Sequence, residues 1–405
     1  ASAMPVTAYE EAKEQLKDLL QRAVSLRMIS DVPLGTFLSG GYDSSLVTAM
    51  AQVHSGEPVK TFSIGFYEEN YNEAPYARAV ADYLGTAHTE LMIDETDMLR
   101  MVESIPKYYD EPFADPSQIP TMLVCKLARE QVTVALSGDG GDEFYCGYNI
   151  YEKVAQAQKL DTLGGLVHNL CNLPGIRQAG LEKRLPFKAR VIAGNRDRET
   201  KTQFGAGNYP GMARAMAGRM ASGERALPVH YPVESSYPVG DWQVRRMLLD
   251  MDTYLPGDIL CKMDRASMKY SLEARCPILD PDVMDFSYRI PHAFKYAAGD
   301  KKHILKEIAY DYIPRELLER PKKGFGVPLD KWLRGPLREQ LLCYTECGFL
   351  KRQNLFDESY VKKMVGSYLE TGDRGRGTGE NYSGLVWAFF VFQQWYTCFH
   401  ENSNG

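Results

Sequence analysis

The tightest constraint on this chain is a junction near its start. Residues 32–38 (Val-Pro-Leu-Gly-Thr-Phe-Leu) form a short apolar stretch that breaks at Ser39-Gly40-Gly41. Tyr42-Asp43-Ser44-Ser45 and the run Leu-Val-Thr-Ala-Met-Ala follow at once. A strand that turns on paired glycines straight into a helix aims free backbone N–H groups, hydroxyls and the positive end of the helix dipole at one point, which makes an anion site. Asp43 is the unusual member. A carboxylate inside an anion site repels a phosphate unless a divalent cation stands between them, so the loop points to magnesium pyrophosphate. No Gly-Lys-Ser/Thr follows and no Gly-x-Gly-x-x-Gly is present, so this is neither a Walker A loop nor a dinucleotide fingerprint.

Strand and helix patterns alternate around that junction. Apolar residues at helical spacing (Ala12, Leu16, Leu19, Leu20, Val24) predict a helix over 8–28. Strands are expected at 35–38, 59–64, 88–93 and 132–136, with helices at 43–54, 73–84, 95–105 and 120–130 between them. Such alternation implies parallel βαβ units, hence an α/β fold with a doubly wound parallel sheet whose ligands sit beyond the carboxyl ends of its strands. The strand signal fades after residue 150. Residues 160–240 are rich in Gly, Pro, Arg and Met, which suggests a helical or irregular insertion over 151–240, and from 241 onward the chain reads helical. The expected organisation is therefore a nucleotide-binding unit at 1–150, an insertion at 151–240 and a helical region at 241–405. The final helix carries Trp387, Phe389, Phe390, Phe392, Trp395 and Tyr396 on all sides, which marks a core helix. The segment Thr371–Gly379 reads as a flexible loop.

The net charge of −6 gives no global basic field for nucleic acid or an anionic membrane. A basic stretch from Lys183 to Lys201 is interleaved with Glu182, Asp197 and Glu199, and reads as a solvated face. Eight scattered cysteines without a Cys-x-x-Cys pair fit reduced thiols in a cytoplasmic protein, and seven dispersed histidines lack metal-ligand spacing.

Two further loops carry chemistry. After the strand at 132–136 comes Ser137-Gly138-Asp139-Gly140-Gly141-Asp142-Glu143, which sets three carboxylates within five residues on a glycine turn. Beside the first loop, Asp142 can share a magnesium ion with Asp43 as hard oxygen ligands do, leaving Asp139 for proton transfer. The third loop, Arg320-Pro321-Lys322-Lys323-Gly324-Phe325-Gly326, brings positive charge of the kind that stabilises a developing phosphate anion.

Taken in order, these motifs carry a family resemblance. The first loop resembles the pyrophosphate loop of the ATP pyrophosphatase superfamily, which cleaves ATP to AMP and PPi. Leu-Ser-Gly-Gly-Tyr-Asp-Ser-Ser, Leu-Ser-Gly-Asp-Gly-Gly-Asp-Glu, Tyr254-Leu-Pro-Gly-Asp-Ile-Leu-Cys-Lys-Met-Asp264-Arg265 with Ser271-Leu-Glu273-Ala-Arg275-Cys-Pro277, and Arg-Pro-Lys322-Lys-Gly-Phe resemble the synthetase domain of glutamine-hydrolysing asparagine synthetase from about residue 8 to 399. The resemblance implies that Ser39, Gly40, Gly41, Asp43, Ser44 and Ser45 hold PPi, with Asp43 and Asp142 on magnesium. It implies that Leu38 and Ile64 meet the adenosine, and that Ser137 and Gly138 line the AMP site. Lys322 falls on the family's catalytic lysine, and Asp139 on an acid, often Glu, that handles ammonia's proton. The segment Asp110–Ser117 is expected to wall the acyl pocket.

The expected activity follows from the resemblance: ATP and Mg²⁺ adenylate a carboxylate, most simply the aspartate side chain, and ammonia displaces AMP. The family's separate glutaminase domain has no counterpart in this sequence, whose first cysteine is Cys125. The amine is therefore expected to be ammonia from solution, or from a glutaminase domain or partner. Neither nucleic acid nor membrane is an expected partner, and a homodimer remains open. Two other readings stand beside this one. The same chemistry on a sugar or peptide carboxylate would give amidation or cyclisation, and a non-catalytic nucleotide-binding module would bind ATP alone. The β-lactam-forming branch places tyrosine where this chain has Asp139.

Overall fold

Five parallel strands in the order β3-β2-β1-β4-β5 form the centre of the molecule. The structure, a computed structural model, describes residues 6–67, 72–156, 158–159, 236–320, 326–371 and 382–401. Along the chain come α1 (Tyr9–Arg27), β1 (Leu34–Phe37), α2 (Tyr42–His54), β2 (Lys60–Phe66), α3 (Ala74–Leu84), β3 (Ala87–Ile93), α4 (Glu95–Ser104), α5 (Gln118–Arg129), β4 (Val134–Leu136) and the short α6 (Gly141–Phe144). After the insertion come α7 (Trp242–Asp252), α8 (Cys261–Met268), β5 (Glu273–Arg275), α9 (Pro281–Arg289), the ribbon β6 (Tyr296–Ala297) and β7 (Asp300–Lys301), α10 (His303–Ala309), α11 (Glu358–Thr371) and α12 (Tyr382–Tyr396).

Both faces of the sheet are covered, and the central strands β2 and β4 are accordingly buried almost without a break. Phe62, Ile64 and Phe66 of β2 face a core shared with Met98 and Val102 of α4, Met122 of α5 and Trp387 and Phe390 of α12. On the other face lie Leu16 and Leu20 of α1, Leu46 and Met50 of α2, Val80 of α3 and Ile304 of α10. Neighbouring residues of β4 divide between them, Ala135 on one side and Leu136 on the other. The α/β, doubly wound reading therefore holds, and so does the aromatic helix as a core element. Local signals set the ends: Asp94 and Asp97 form a capping box on α4, and Gly85 closes α3 in the left-handed region.

The helical reading of the C-terminal region holds, and β5 and the β6–β7 ribbon are additions to it. Glu273–Arg275 pairs in parallel with Val134–Leu136 and extends the sheet by one strand. Three residues with two charges show no alternation, so only the exposed backbone edge of β4 makes them a strand. The ribbon is two residues a side, again too short for a periodic signal.

Most of the expected insertion (160–235), the basic stretch Lys183–Lys201, the loop 372–380 and the segment 321–325 with Lys322 and Lys323 lie outside the described residues. Among those described, no helix is long and apolar enough to cross a membrane.

Candidate active site

The strand order fixes where chemistry gathers. From β1 the chain moves outward through β2 and β3, then returns to place β4 on the other side of β1. That reversal leaves a crevice beyond the carboxyl ends of β1 and β4, where an open α/β sheet binds its ligands. The glycine loop after β1 and the acidic loop after β4 meet there. A Cβ on Gly138 would lie 2.7 Å from the Ser44 nitrogen, so only glycine lets the two loops approach this closely. Between them opens a cavity of about 430 Å³.

Leu38, Ser39, Gly41, Asp43, Ser44, Ile64, Ser137, Gly138, Asp139 and Asp142 all line this cavity, as expected of one site. Gly40 and Ser45 are not among the lining residues. Gly40 takes φ +74° against the start of α3, where a Cβ would lie 2.8 Å from the Ala77 nitrogen. Ser45 is buried in α2, its N–H donating to the Gly41 carbonyl at 3.0 Å. Leu38, Phe62, Ile64 and Val124 give one apolar wall, suited to a flat base.

The glycine loop is held by its own hydroxyls and by a distant arginine. Ser39 N–H donates to Ser44 Oγ at 3.2 Å, and the two hydroxyl oxygens lie 2.9 Å apart. Arg320 donates to the Ser39 carbonyl at 3.0 Å, to the Gly40 carbonyl at 3.2 Å and to Glu73 at 2.7 Å, with its guanidinium 4.5 Å from the Tyr76 ring centre. In a trans peptide the N–H points away from its carbonyl. With the Ser39 carbonyl drawn to Arg320, the Gly40 N–H is turned the opposite way, while the Gly41 N–H donates to Ser39 Oγ at 3.3 Å.

Asp43 and Asp142 converge on one cation, the ammonium of Lys302. It donates to Asp43 Oδ2 and lies 2.9 Å from Asp142 Oδ1. Lys302 is buried at the entry to α10, with φ +55°. Burial alone would lower its pKa, but the two carboxylates outweigh that and hold it well above the usual lysine range. Two carboxylates meeting at one positive charge fit a shared divalent ion. Among the described residues no third acid, His or Cys completes a protein cage, which suits magnesium bound through one or two carboxylates and phosphate oxygens.

Asp139 is half-buried at the cavity wall. Burial raises its pKa, opposed by the Ser137 hydroxyl, which donates at 2.6 Å, and by the charge of Lys262. Burial likewise lifts Glu143 to about 7, and the Tyr148 hydroxyl donates to it at 2.7 Å. Three site residues carried no assigned role in the sequence: Lys302, Arg320 and Lys262. The last two stand inside motifs that marked the family, and that was the available signal. Lys302 sits in Asp-Lys-Lys-His, which has the look of an ordinary exposed turn.

The comparisons agree with this arrangement. The sequence model of the family described as "Asparagine synthase" matches residues 15–397. A putative glutamine-hydrolysing asparagine synthetase of Mycobacterium tuberculosis is 31% identical over 401 residues, covering 96% of this chain and 58% of that protein. Asparagine synthetase [glutamine-hydrolyzing] 1 of Bacillus subtilis is 31% identical over 407 residues, covering 96% of this chain and 60% of its own. "Amidase chry2" of Gibberella zeae is 24% identical over 376 residues, covering 82% of this chain and 54% of that protein. The chain thus spans less than two thirds of the length of these relatives. A match to the family over nearly the whole sequence, together with acid-bearing glycine loops joined at the switch point of a parallel sheet, places the chain in the asparagine synthase family.

Proposed function

We propose that this chain is an ATP-dependent amide-forming ligase that adenylates the side-chain carboxylate of aspartate and passes the acyl group to ammonia, releasing AMP and PPi. The observation that carries the reading is the convergence of Asp43 and Asp142, from two different loops, on one cation position in the cavity that Asp139 also lines. A phosphate-binding fold without catalysis has no use for a third acid at that place.

The residues divide the work. Asp43 and Asp142 would hold magnesium, which supplies charge neutralisation for the pyrophosphate as it leaves. The glycine loop held by Arg320, with its Ser39 and Ser44 hydroxyls, binds phosphate oxygens, and the apolar wall at Leu38 and Ile64 receives the base. The aspartate carboxylate oxygen attacks the α-phosphorus, and the bond to PPi breaks. Lys322, on the segment that follows Arg320, stabilises the charge that builds there. Ammonia's lone pair then attacks the acyl carbon, the bond to AMP breaks, and the surplus proton on nitrogen passes to Asp139.

Separating the products of a reaction with aspartate, ammonium and ATP tests the reading. AMP, PPi and asparagine in equal amounts support it. ADP and phosphate, or nucleotide binding without turnover on any carboxylate, overturn it.

A further inference from the structure

Lys262 is a charged group in the cavity whose hydrogen bonding is incomplete. It sits in α8 with its side chain 11% exposed, and it lines the same cavity as Asp139. Its Nζ donates to Asp115 Oδ2 at 2.7 Å and to Ser117 Oγ at 2.8 Å. An ammonium has three N–H donors, and these contacts use two. Asp258 Oδ1 stands 3.9 Å off, outside hydrogen-bond reach, so no described residue takes the third.

The group is also fixed in place. Asp115 accepts the Ser117 N–H at 2.9 Å and the Ser117 hydroxyl at 2.6 Å. The loop that carries it is tied to α12, where the Trp387 indole N–H donates to the Ala114 carbonyl at 2.9 Å and that of Trp395 to the Asp110 carbonyl at 3.0 Å. Burial, with the charge of Asp115 adding to it, pushes Asp258 up to about 8. Burial acts upward on Asp115 too, but Lys262 and the Ser117 hydroxyl outweigh it and keep that carboxylate ionised. A lysine anchored on two sides, with one donor left over at a cavity wall, is a preorganised receptor for an acceptor oxygen.

We propose that Lys262 is a specificity-determining residue that receives the second carboxylate of the acyl substrate, the one that does not react. The substrate class is then a dicarboxylic amino acid, with one carboxylate directed to the α-phosphate and the other held by the third N–H of Lys262. This assignment rests on the ligase reading given above and names the group that selects its substrate.

The test compares aspartate with 3-aminopropanoate, the same molecule without its α-carboxylate, as substrates for PPi release with ammonium and ATP. The unsubstituted protein prefers aspartate. Lys262→Met lowers kcat/KM for aspartate by about 100-fold, mostly through KM, as loss of one charge-assisted hydrogen bond does. Turnover of 3-aminopropanoate changes by no more than about 3-fold, because uniform binding to an absent group cannot be lost. The preference therefore collapses. Because Lys262→Met strands Asp115, the double variant Lys262→Met/Asp115→Asn removes both charges and gives the same collapse in a folded protein, checked by thermal unfolding. A parallel fall for both substrates in both variants shows Lys262 to be structural only and overturns the assignment. No PPi from either substrate with the unsubstituted protein overturns the ligase reading itself, a result distinct from the first.

Discussion

Arg320 grips the glycine loop by its backbone, its guanidinium donating to the Ser39 carbonyl at 3.0 Å from 281 positions away in sequence. Arg320 is thereby pinned to the loop that cradles phosphate. Arg320→Ala is expected to lower PPi release by ~10²-fold through misplacement of the loop. It also removes the ion pair with the half-buried Glu73 and lowers stability. Arg320→Ala/Glu73→Gln should recover most of the stability in urea unfolding but not the turnover. Recovery of both would reduce Arg320 to a folding residue.

Lys302 occupies the charge position that Asp43 and Asp142 would offer to magnesium. Lys302→Met leaves two buried carboxylates facing each other, at a cost of about 3–5 kcal/mol. Millimolar Mg²⁺ without nucleotide should raise the Tm of this variant by ligand linkage and leave the unsubstituted protein unmoved. Scanning calorimetry with and without Mg²⁺ reads the difference.

Lys295 gives a pH signature away from the site. Burial depresses its pKa to about 8, and its ammonium lies 5.7 Å from the Tyr145 ring centre. The folded pKa lies below the unfolded value of 10.5, so the stability linked to this group is fully present above 10.5 and is lost as pH falls towards 8. Lys295→Met should therefore stabilise the protein by about 3 kcal/mol at pH 7, with the gain vanishing near pH 10.5. Urea unfolding at pH 7 and at the upper limit checks the sign.

Lys322 and Asp139 are expected to fail in different steps. Lys322→Ala should slow PPi release by ~10²-fold or more while ATP still binds, since the loop amides and the acid pair hold the phosphates. Asp139→Asn should retain PPi release and lose amide, with the activated acyl group hydrolysed. Lys323→Ala should change either step little. Quenched-flow product analysis separates the two steps, and loss of nucleotide binding in both Lys322→Ala and Asp139→Asn would remove the division of labour.

What the sequence disclosed was local. The β1–α2 junction was legible because paired glycines followed by Asp-Ser-Ser act through neighbouring backbone, and the acidic loop after β4 was legible for the same reason. Lys302 was not, because its partner Asp43 lies 259 positions away and a lysine's burial is decided by tertiary packing. Arg320 and Lys262 stood in recognisable motifs, yet their work is on carbonyls and hydroxyls of distant loops that no spacing reveals. The strand β5 was missed because three residues paired to a neighbour's edge carry no period.

The most direct measurement uses aspartate labelled with ¹⁸O in its side-chain carboxylate, incubated with ammonium, Mg²⁺ and ATP, followed by mass analysis of the nucleotide. If that carboxylate attacks the α-phosphorus and AMP later leaves from the acyl carbon, one labelled oxygen appears in the phosphate of AMP for each asparagine formed. Asparagine formed with unlabelled AMP, or with label in inorganic phosphate alongside ADP, would contradict the adenylation account.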